Sequence, residues 1–354
     1  MTPETKTLIE TLASTHTLPQ SAYQKLVESY DSEAAAFAAQ LARQAAQQSY
    51  GKTVFIRGLI EISNICKNDC LYCGIRRSNH ACSRYRLTPE EILACTQEGY
   101  ALGFRTFVMQ GGEDGWFTDD VLCGLIRSIK DQFPDCAITL SLGERSPKSY
   151  QRLRASGADR YLLRHETADS VHYRALHPQE MSFDHRMQCL RTLKHLGFQT
   201  GCGFMVGSPH QTTAHIAGDL KFIETFSPAM CGIGPFIPHA DTPFRKEPAG
   251  SADLTCFLLS LVRLIHPKLL LPATTALGSV EQNGRERGIL SGANVIMPNL
   301  SPVNVRDKYM LYNNKLSSGP EAAQNLKELK ARMKAIGYEI VVDRGDSKQE
   351  GVKI

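Results

Sequence analysis

Residues 54–74 read VFIRGLIEISNICKNDCLYCG, an apolar run followed at once by a cysteine-rich loop. The apolar run over residues 54–62 is typical of a buried β-strand. In the loop, Cys66, Cys70 and Cys73 have the spacing Cys-x3-Cys-x2-Cys, and no fourth cysteine follows at motif spacing. A cubane 4Fe-4S cluster has four irons, so three thiolates would leave one iron open to a ligand that is not protein.

Two other uses of this triplet have to be weighed. A structural zinc site needs four ligands, and His80 or Cys82 could supply the fourth. A disulfide is less compatible with the chain, because thiols stay reduced inside the cell. The iron–sulfur cluster is therefore the preferred prediction.

The sequence around the loop predicts a fold of the α/β class. From residue 54 onward, short apolar strands alternate with amphipathic helices, which is typical of parallel βαβ units. The expected strands are 54–62, 106–110, 136–141, 160–164, 197–206, 230–236, 269–271 and 294–297. Eight such units predict a (β/α)8 TIM-type barrel, with a doubly wound open sheet as the alternative. In either fold the loops after the strands carry the chemistry.

Extensions are expected on both sides of the barrel. We assign residues 1–50 to an N-terminal helical extension, 51–312 to the barrel, and 313–354 to a C-terminal extension packed on it. Within that last part, a helix is expected over residues 321–337 and a small strand over 338–342. The polar tail, residues 344–354, is expected to be loose.

Charge and hydropathy argue against two classes of partner. The chain has 40 basic and 36 acidic residues and a net charge of +4, which is too small for the concentrated basic face of a nucleic-acid-binding protein. No apolar run approaches the ~20 residues that span a bilayer, and Met1–Lys6 lacks the pattern of a signal peptide. We therefore expect a cytoplasmic protein with no nucleic acid and no membrane as partner.

Further motifs follow the expected strands in order. They are Arg84–Leu87, Gln110–Glu113, Tyr161–Thr167, Gly201–Pro209, Gly232–His239, Pro272–Ala276 and Ala293–Asn299. Together with the cysteine triplet, this set resembles the radical S-adenosylmethionine (SAM) superfamily and, within it, the HydE family of FeFe-hydrogenase maturases. The resemblance covers about residues 50–312.

The resemblance implies one 4Fe-4S cluster held by the three cysteines and SAM bound to its open iron. The residues that it places around SAM are Tyr72, Gln110, Gly111, Gly112, Glu113, Ser141, Glu166 and Arg186. The residues that it places in the substrate cavity, as candidate catalytic residues, are Arg164, Thr274, Thr275, Met297 and Tyr309. The residue types suit these roles, because paired glycines let a backbone approach a ligand closely and a planar guanidinium can bind a carboxylate.

Simpler roles remain open for several of these residues. Arg164 and Glu166 could form a purely structural ion pair, and Arg186 could be a surface charge. The two threonines could cap a helix, and Met297 could pack in the core.

Two features depart from the family pattern. His210 stands where the superfamily's strand-five motif often has Glu, so adenine recognition there is open. Some relatives bind a second cluster through three cysteines beyond the last strand, whereas this chain has no cysteine after Cys256. We therefore expect one cluster only.

The resemblance also implies the activity. The enzyme would reductively cleave SAM to a 5′-deoxyadenosyl radical and act on a small anionic Fe(CO)2(CN) complex that carries cysteine, during assembly of the hydrogenase diiron subcluster. Its partners would be the maturases HydG and HydF, with reduced flavodoxin or ferredoxin as electron donor. The alternatives are an amino-acid mutase related to methylornithine synthase, a sulfur-inserting enzyme like biotin synthase, and a non-catalytic iron–sulfur scaffold.

Overall fold

A computed structural model describes residues 1–316 and 322–349 of the chain. The strands are β1 Thr53–Ile56, β2 Gly58–Ser63, β3 Thr106–Gly111, β4 Ala137–Ser141, β5 Arg160–Leu162, β6 Gln199–Cys202, β7 Met205–Val206, β8 Met230–Cys231, β9 Gly234–Pro235, β10 Val295–Ile296 and β11 Glu339–Val341. The helices are α1 Pro3–Thr15, α2 Gln20–Glu28, α3 Ser32–Tyr50, α4 Pro89–Ala101, α5 Asp119–Gln132, α6 Pro147–Ala155, α7 Ser170–Leu176, α8 Phe183–His195, α9 Thr213–Phe226, α10 Ala252–Ile265, α11 Thr275–Val280, α12 Gly284–Leu290, α13 Val303–Arg306 and α14 Leu326–Ala335.

The central sheet closes into a barrel. Strands β2, β3, β4, β5, β6 and β8 lie side by side in that order, and all of their pairings are parallel. Three parallel bridges complete the ring: Met230 with Leu270, Pro272 with Val295, and Leu59 with Asn299. The predicted TIM-type barrel is therefore confirmed, and the open sheet is excluded.

Several predicted strands are shorter or divided. The strand predicted over 54–62 breaks between β1 and β2, and residues 269–271 contribute only the bridge at Leu270. The strands predicted over 197–206 and 230–236 each divide, at Gly203 and near Gly232. Gly203 has φ 154°, and a Cβ there would lie 2.0 Å from the Gly232 carbonyl oxygen. Close approach of two backbones therefore ends regular pairing at this point.

The N-terminal helices cover one flank of the barrel. Asp31 caps α3 by accepting a hydrogen bond from Ala34 N at 2.8 Å. The buried stripe of α3, which includes Ala34, Ala38 and Ala42, faces α10, and α1 also contacts α10. Helix α10 therefore packs against the barrel on one side and against α1 and α3 on the other, and most of its residues are buried.

The C-terminal extension packs more tightly than expected. The predicted helix, whose first residue lies outside the described residues, is a 3-10 turn over Ala323–Asn325 followed by α14, and β11 pairs with β1. The expectation of a loose tail is wrong for residues 344–349. Asp346 Oδ1 lies 2.6 Å from the fully buried Arg160 guanidinium, and Arg344 pairs with Asp159 at 3.1 Å. These ion pairs fix the segment; residues 350–354 lie outside the described part.

Across residues 1–316 and 322–349, none of the helices has the length and apolar character required to cross a lipid bilayer.

Candidate active site at the mouth of the barrel

The loop after β2 is held in shape by its own side chains. The Arg84 guanidinium donates hydrogen bonds to four carbonyl oxygens, those of Asn64 at 2.6 Å, Ile75 at 2.8 Å, Arg76 at 2.6 Å and Asn79 at 3.0 Å. Asp69 accepts from Arg76 Nε at 2.8 Å and from Ser78 N at 2.9 Å, and the Arg76 bond holds the pKa of Asp69 below its usual value. The cysteine loop is therefore fixed by protein contacts.

The three cysteine thiols lie in one partly buried group. Burial raises the pKa of Cys66, and it raises the pKa of Cys70 further, with Cys73 and Cys66 as like-charged neighbours. Burial and Cys66 raise the pKa of Cys73 to about 12. Three thiolates this close need a compensating positive charge, which a bound iron cluster provides.

Their spacing does not suit zinc. Within residues 1–316 and 322–349, the three sulfurs do not form a group whose ligand atoms all lie within 4.8 Å of one another. A zinc tetrahedron with Zn–S bonds of about 2.3 Å would hold its sulfurs about 3.8 Å apart. At least one pair of these sulfurs therefore lies farther apart than a zinc tetrahedron allows, whereas cysteine thiolates are the usual ligands of iron–sulfur clusters.

The Gly-Gly-Glu turn after β3 packs directly on the cysteine loop. A Cβ on Gly112 would lie 2.3 Å from the Ile65 carbonyl oxygen and 2.8 Å from Cys66 Cβ. The Glu113 N–H points to Cys66 Sγ at 3.4 Å, and the Glu113 carboxylate lies 3.0 Å from Lys67 Nζ. Gln110 and Ser141, the neighbouring strand ends, are paired in the β3–β4 register. The structure thus places Gly112 and Glu113 beside Cys66, and it places Gln110 and Ser141 next to each other at the adjoining strand ends.

Tyr72 is held by a histidine that sequence reasoning missed. His177 Nδ1 lies 2.9 Å from the Tyr173 carbonyl, so Nδ1 carries the proton, and Nε2 accepts from the Tyr72 hydroxyl at 3.2 Å. Burial, with the charge of Arg186, lowers the pKa of His177 to about 3, which keeps the imidazole neutral. No motif in the sequence marks His177.

The end of strand β5 carries Arg164 and Glu166. The strand is regular only to Leu162, which is shorter than the predicted 160–164, and Glu166 lies beyond it with φ 65°. Arg164 Nη2 nevertheless lies 3.1 Å from Glu166 Oε2. The contact between these two atoms does not have the angles of a hydrogen bond. Arg164 Nη2 and Glu166 Oε2 are therefore both buried without a hydrogen-bond partner in the described residues. The ion pair exists, but it leaves bonding capacity for a ligand.

Arg186 is a buried cation, so its interpretation as a surface charge is wrong. Its Nε donates to Glu144 Oε1 at 2.5 Å, and its Nη1 donates to the Arg164 carbonyl at 2.7 Å. Burial alone would lower the pKa of Arg186, but Tyr173 and Glu144 raise it, so the charge is kept. Sequence reasoning missed Glu144, although its place just after β4 is one where barrels carry functional residues.

The substrate-cavity candidates lie around the barrel interior. Gln110 Nε2 donates to the Tyr309 hydroxyl at 3.4 Å. Thr274 occupies the N-cap position of α11, with Thr275 as the first helical residue, but the Thr274 side chain makes no capping bond. Its hydroxyl oxygen is buried and lacks a partner within the described residues. The Thr274 side chain therefore does not cap α11, and its hydroxyl is available to bind a ligand.

Other residues complete or qualify this cavity. Met297 packs against a cluster that includes Leu270 and Val295, so its packing role is real. Lys315 and Glu61 form a buried ion pair within 2.6 Å that sequence reasoning missed. The signal in the sequence is that Glu61 is a charged residue inside the largely apolar run 54–62.

His210, the departure in the strand-five motif, is exposed with φ 65°. Its ring lies edge-on to Phe244, with centroids 6.4 Å apart.

Comparison with known proteins identifies a family and several relatives. Residues 60–223 match the family model of the Radical SAM superfamily. The chain is 46% identical over 276 residues to the "[FeFe] hydrogenase maturase subunit HydE" of Thermotoga maritima, a match covering 78% of each protein. It is 27% identical over 300 residues to 3-methylornithine synthase of Methanosarcina barkeri, covering 84% and 83% of the two chains.

Two solved structures share the fold. Methylornithine synthase (PylB) superposes with a TM-score of 0.80 at 24% identity, over 94% of this chain and 97% of that one. HydG, described as a maturase of the FeFe-hydrogenase, superposes with a TM-score of 0.80 at 20% identity, over 95% of this chain and 76% of that one.

Proposed function

The chain belongs to the HydE family of the radical SAM superfamily, and from this premise we propose that it acts on a small, cysteine-bearing Fe(CO)2(CN) complex. It is a radical SAM enzyme of the HydE maturase type, and its family uses a 4Fe-4S cluster and SAM. The proposed reaction belongs to the assembly of the diiron subcluster of FeFe-hydrogenase in the cytoplasm.

When bound, the cluster and SAM supply the 5′-deoxyadenosyl radical, by electron transfer to SAM and cleavage of its S–C5′ bond. In our proposal Cys66, Cys70 and Cys73 hold three irons of the cluster. The main support is that three partly buried thiols share one loop, and the Glu113 turn packs on this loop with its N–H 3.4 Å from Cys66 Sγ. The protein's task is to position the reactants and exclude water.

The protein groups around this point suit the polar parts of SAM. We assign the Gly111–Glu113 turn to the amino group, because it adjoins Cys66 and carries the Glu113 carboxylate. We assign Arg186 to the SAM carboxylate, since Glu144 and a backbone carbonyl orient its guanidinium while the charge is kept. Glu166 is assigned to the ribose, because its Oε2 has no hydrogen-bond partner in the described residues.

The barrel interior favours an anionic substrate. Arg164 Nε and Nη2 and Thr274 Oγ1 are buried without hydrogen-bond partners in the described residues. A guanidinium and a hydroxyl together can bind the carboxylate of a cysteine-bearing complex. We propose that HydG delivers this complex, that HydF takes part in the later assembly, and that reduced flavodoxin or ferredoxin provides the electron.

The first experiment tests the radical chemistry. Anaerobically reconstituted enzyme with SAM and dithionite should form 5′-deoxyadenosine, and Cys66→Ala should abolish both product and cluster. Cys82→Ala is the matched control, because Cys82 lies in the same loop outside the triplet and should keep activity. Continued SAM cleavage by Cys66→Ala would overturn the assignment of the ligands.

The second experiment tests the substrate. Addition of the small-molecule product of HydG should increase 5′-deoxyadenosine formation and consume the iron complex. L-Lysine is the competing substrate, because one relative is a 3-methylornithine synthase. Formation of methylornithine from lysine, with no turnover of the iron complex, would replace the maturase proposal by the mutase alternative.

A further inference from the structure

A second set of metal-ligand side chains lies apart from the cysteine triplet. Glu144, His185 and Cys189 each offer a ligand atom, and these atoms all lie within 4.8 Å of one another. Among the described residues, no other group of three or more His, Cys, Asp or Glu side chains brings its ligand atoms this close together. We propose that the triad binds a divalent transition-metal ion, for which Zn²⁺ is the probe.

Helix α8 presents two of the three ligands together. His185 and Cys189 are four residues apart, so they lie on the same face of the helix one turn from each other. Ser182 caps this helix by accepting a hydrogen bond from His185 N at 3.3 Å, which fixes the first turn. Glu144 reaches the pair from the loop after β4, where its N–H donates to Glu113 Oε1 at 3.0 Å.

The distances suit a tetrahedral ion. His185 Nε2 lies 3.5 Å from Glu144 Oε2 and 3.6 Å from Cys189 Sγ. Zinc bonds of about 2.3 Å to sulfur and about 2.0–2.1 Å to nitrogen would separate the two ligand atoms by about 3.6 Å in a tetrahedron. The third pair of ligand atoms, from Glu144 and Cys189, lies within 4.8 Å, and a bound ion would replace the protons shared between these groups.

The chemistry of the triad favours a borderline-soft cation. A thiolate, an imidazole and a carboxylate suit Zn²⁺, and the two anionic ligands balance its charge. Three protein ligands leave one coordination position open to water or a small ligand. Cys189 is almost fully buried, whereas the His185 side chain is 56% exposed, so the ion can enter from the His185 side.

Glu144 links this site to the active site. Its Oε1 accepts from Arg186, while its Oε2 faces His185. The same carboxylate can thus keep Arg186 in place and contribute one oxygen to the metal. The site does not depend on the cluster, because none of its ligands belongs to the cysteine triplet.

Anomalous diffraction at the zinc edge tests the proposal. Crystals of the cluster-loaded enzyme exposed to Zn²⁺ should show a peak bonded to Cys189 Sγ, His185 Nε2 and Glu144 Oε2. In solution, zinc retained after desalting should fall by one equivalent in both His185→Ala and Cys189→Ala. His195→Ala and Cys123→Ala, which alter the same residue types outside the triad, should retain the wild-type amount.

Iron content and the cluster EPR signal serve as readouts independent of zinc. Both should be unchanged in His185→Ala, so loss of zinc cannot be confused with loss of the cluster. Absence of anomalous density among the three side chains would overturn the proposal. Equal zinc retention by wild type and by both ligand variants would overturn it as well.

Discussion

Inside the barrel, the Lys315 ammonium lies 2.6 Å from Glu61 Oε1, and the two side chains are only 5% and 0% exposed. Asn299 Nδ2 donates to the second Glu61 oxygen at 3.0 Å. The ammonium also lies 5.2 Å from the centre of the Tyr309 ring. The segment after α13 is thus anchored inside the barrel by a buried ion pair next to a substrate-cavity candidate.

Removing one partner of this pair should destabilise the fold strongly. Lys315→Met leaves a buried carboxylate without its counter-ion, and such a loss costs about 3–5 kcal/mol. Urea unfolding at neutral pH should show this loss, while the exposed Lys327→Met should stay within about 0.5 kcal/mol of wild type. Glu61→Gln combined with Lys315→Met should regain much of the stability.

The pH dependence of the same variant provides a second check. Burial raises the pKa of Glu61, and Lys315 opposes that effect. Without Lys315, the folded state favours the protonated carboxyl, so its stability deficit should shrink as the pH falls toward the ordinary glutamate pKa. A deficit that stays constant with pH would show that lost packing, and not the uncompensated charge, is the cause.

Gly112 should be indispensable for the cysteine loop. Gly112→Ala places a methyl group 2.3 Å from the Ile65 carbonyl oxygen and 2.8 Å from Cys66 Cβ, so the turn and loop must separate. We expect reconstituted Gly112→Ala to bind at least tenfold less cluster iron than wild type, since a displacement of this size removes Cys66 from its place. Gly115→Ala is the matched control, because a Cβ at Gly115 meets nothing within 4 Å. Normal cluster loading by Gly112→Ala would contradict this expectation.

Local patterns explain which parts could be predicted from the sequence. The cysteine spacing and the alternation of strands with helices depend on neighbours in the chain, and the structure has the predicted succession of parallel strands and helices. The roles of His177 and Glu144 depend on which side chains the fold brings next to Tyr72 and Arg186. Such partners are distant in sequence and follow no fixed spacing.

The contacts of the C-terminal segment also depend on residues that are distant in sequence. Residues 344–349 are polar, which is typical of a solvated tail. The buried Arg160 guanidinium, on a strand far away in sequence, needs an anionic partner, and Asp346 supplies it. A polar segment that neutralises a buried charge cannot be distinguished from a solvated one by composition.

Arg84 should resist even a conservative change. Its guanidinium donates to four carbonyl oxygens around the cysteine loop, and a lysine ammonium has three donors at one point and cannot span them. Arg84→Lys should therefore release its cluster iron to a chelator several-fold faster than wild type, as followed by absorbance. Arg77→Lys, an exposed change in the same loop, should release iron at the wild-type rate. Equal rates for all three proteins would show that Arg84 does not set the stability of the loop.

His177 should make the fold sensitive to acid. Its pKa is lowered to about 3 in the folded protein by burial and by Arg186, from an ordinary value of about 6.5. Between these values the unfolded chain binds the extra proton, so the free energy of unfolding falls as the pH drops below about 6.5, by at most about 1.4 kcal/mol per pH unit. His177→Gln can still accept from Tyr72 but cannot titrate, so urea unfolding should show a shallower pH dependence across this window. The exposed His80→Gln should behave like wild type, and an unchanged slope in His177→Gln would mean that the buried imidazole does not control this transition.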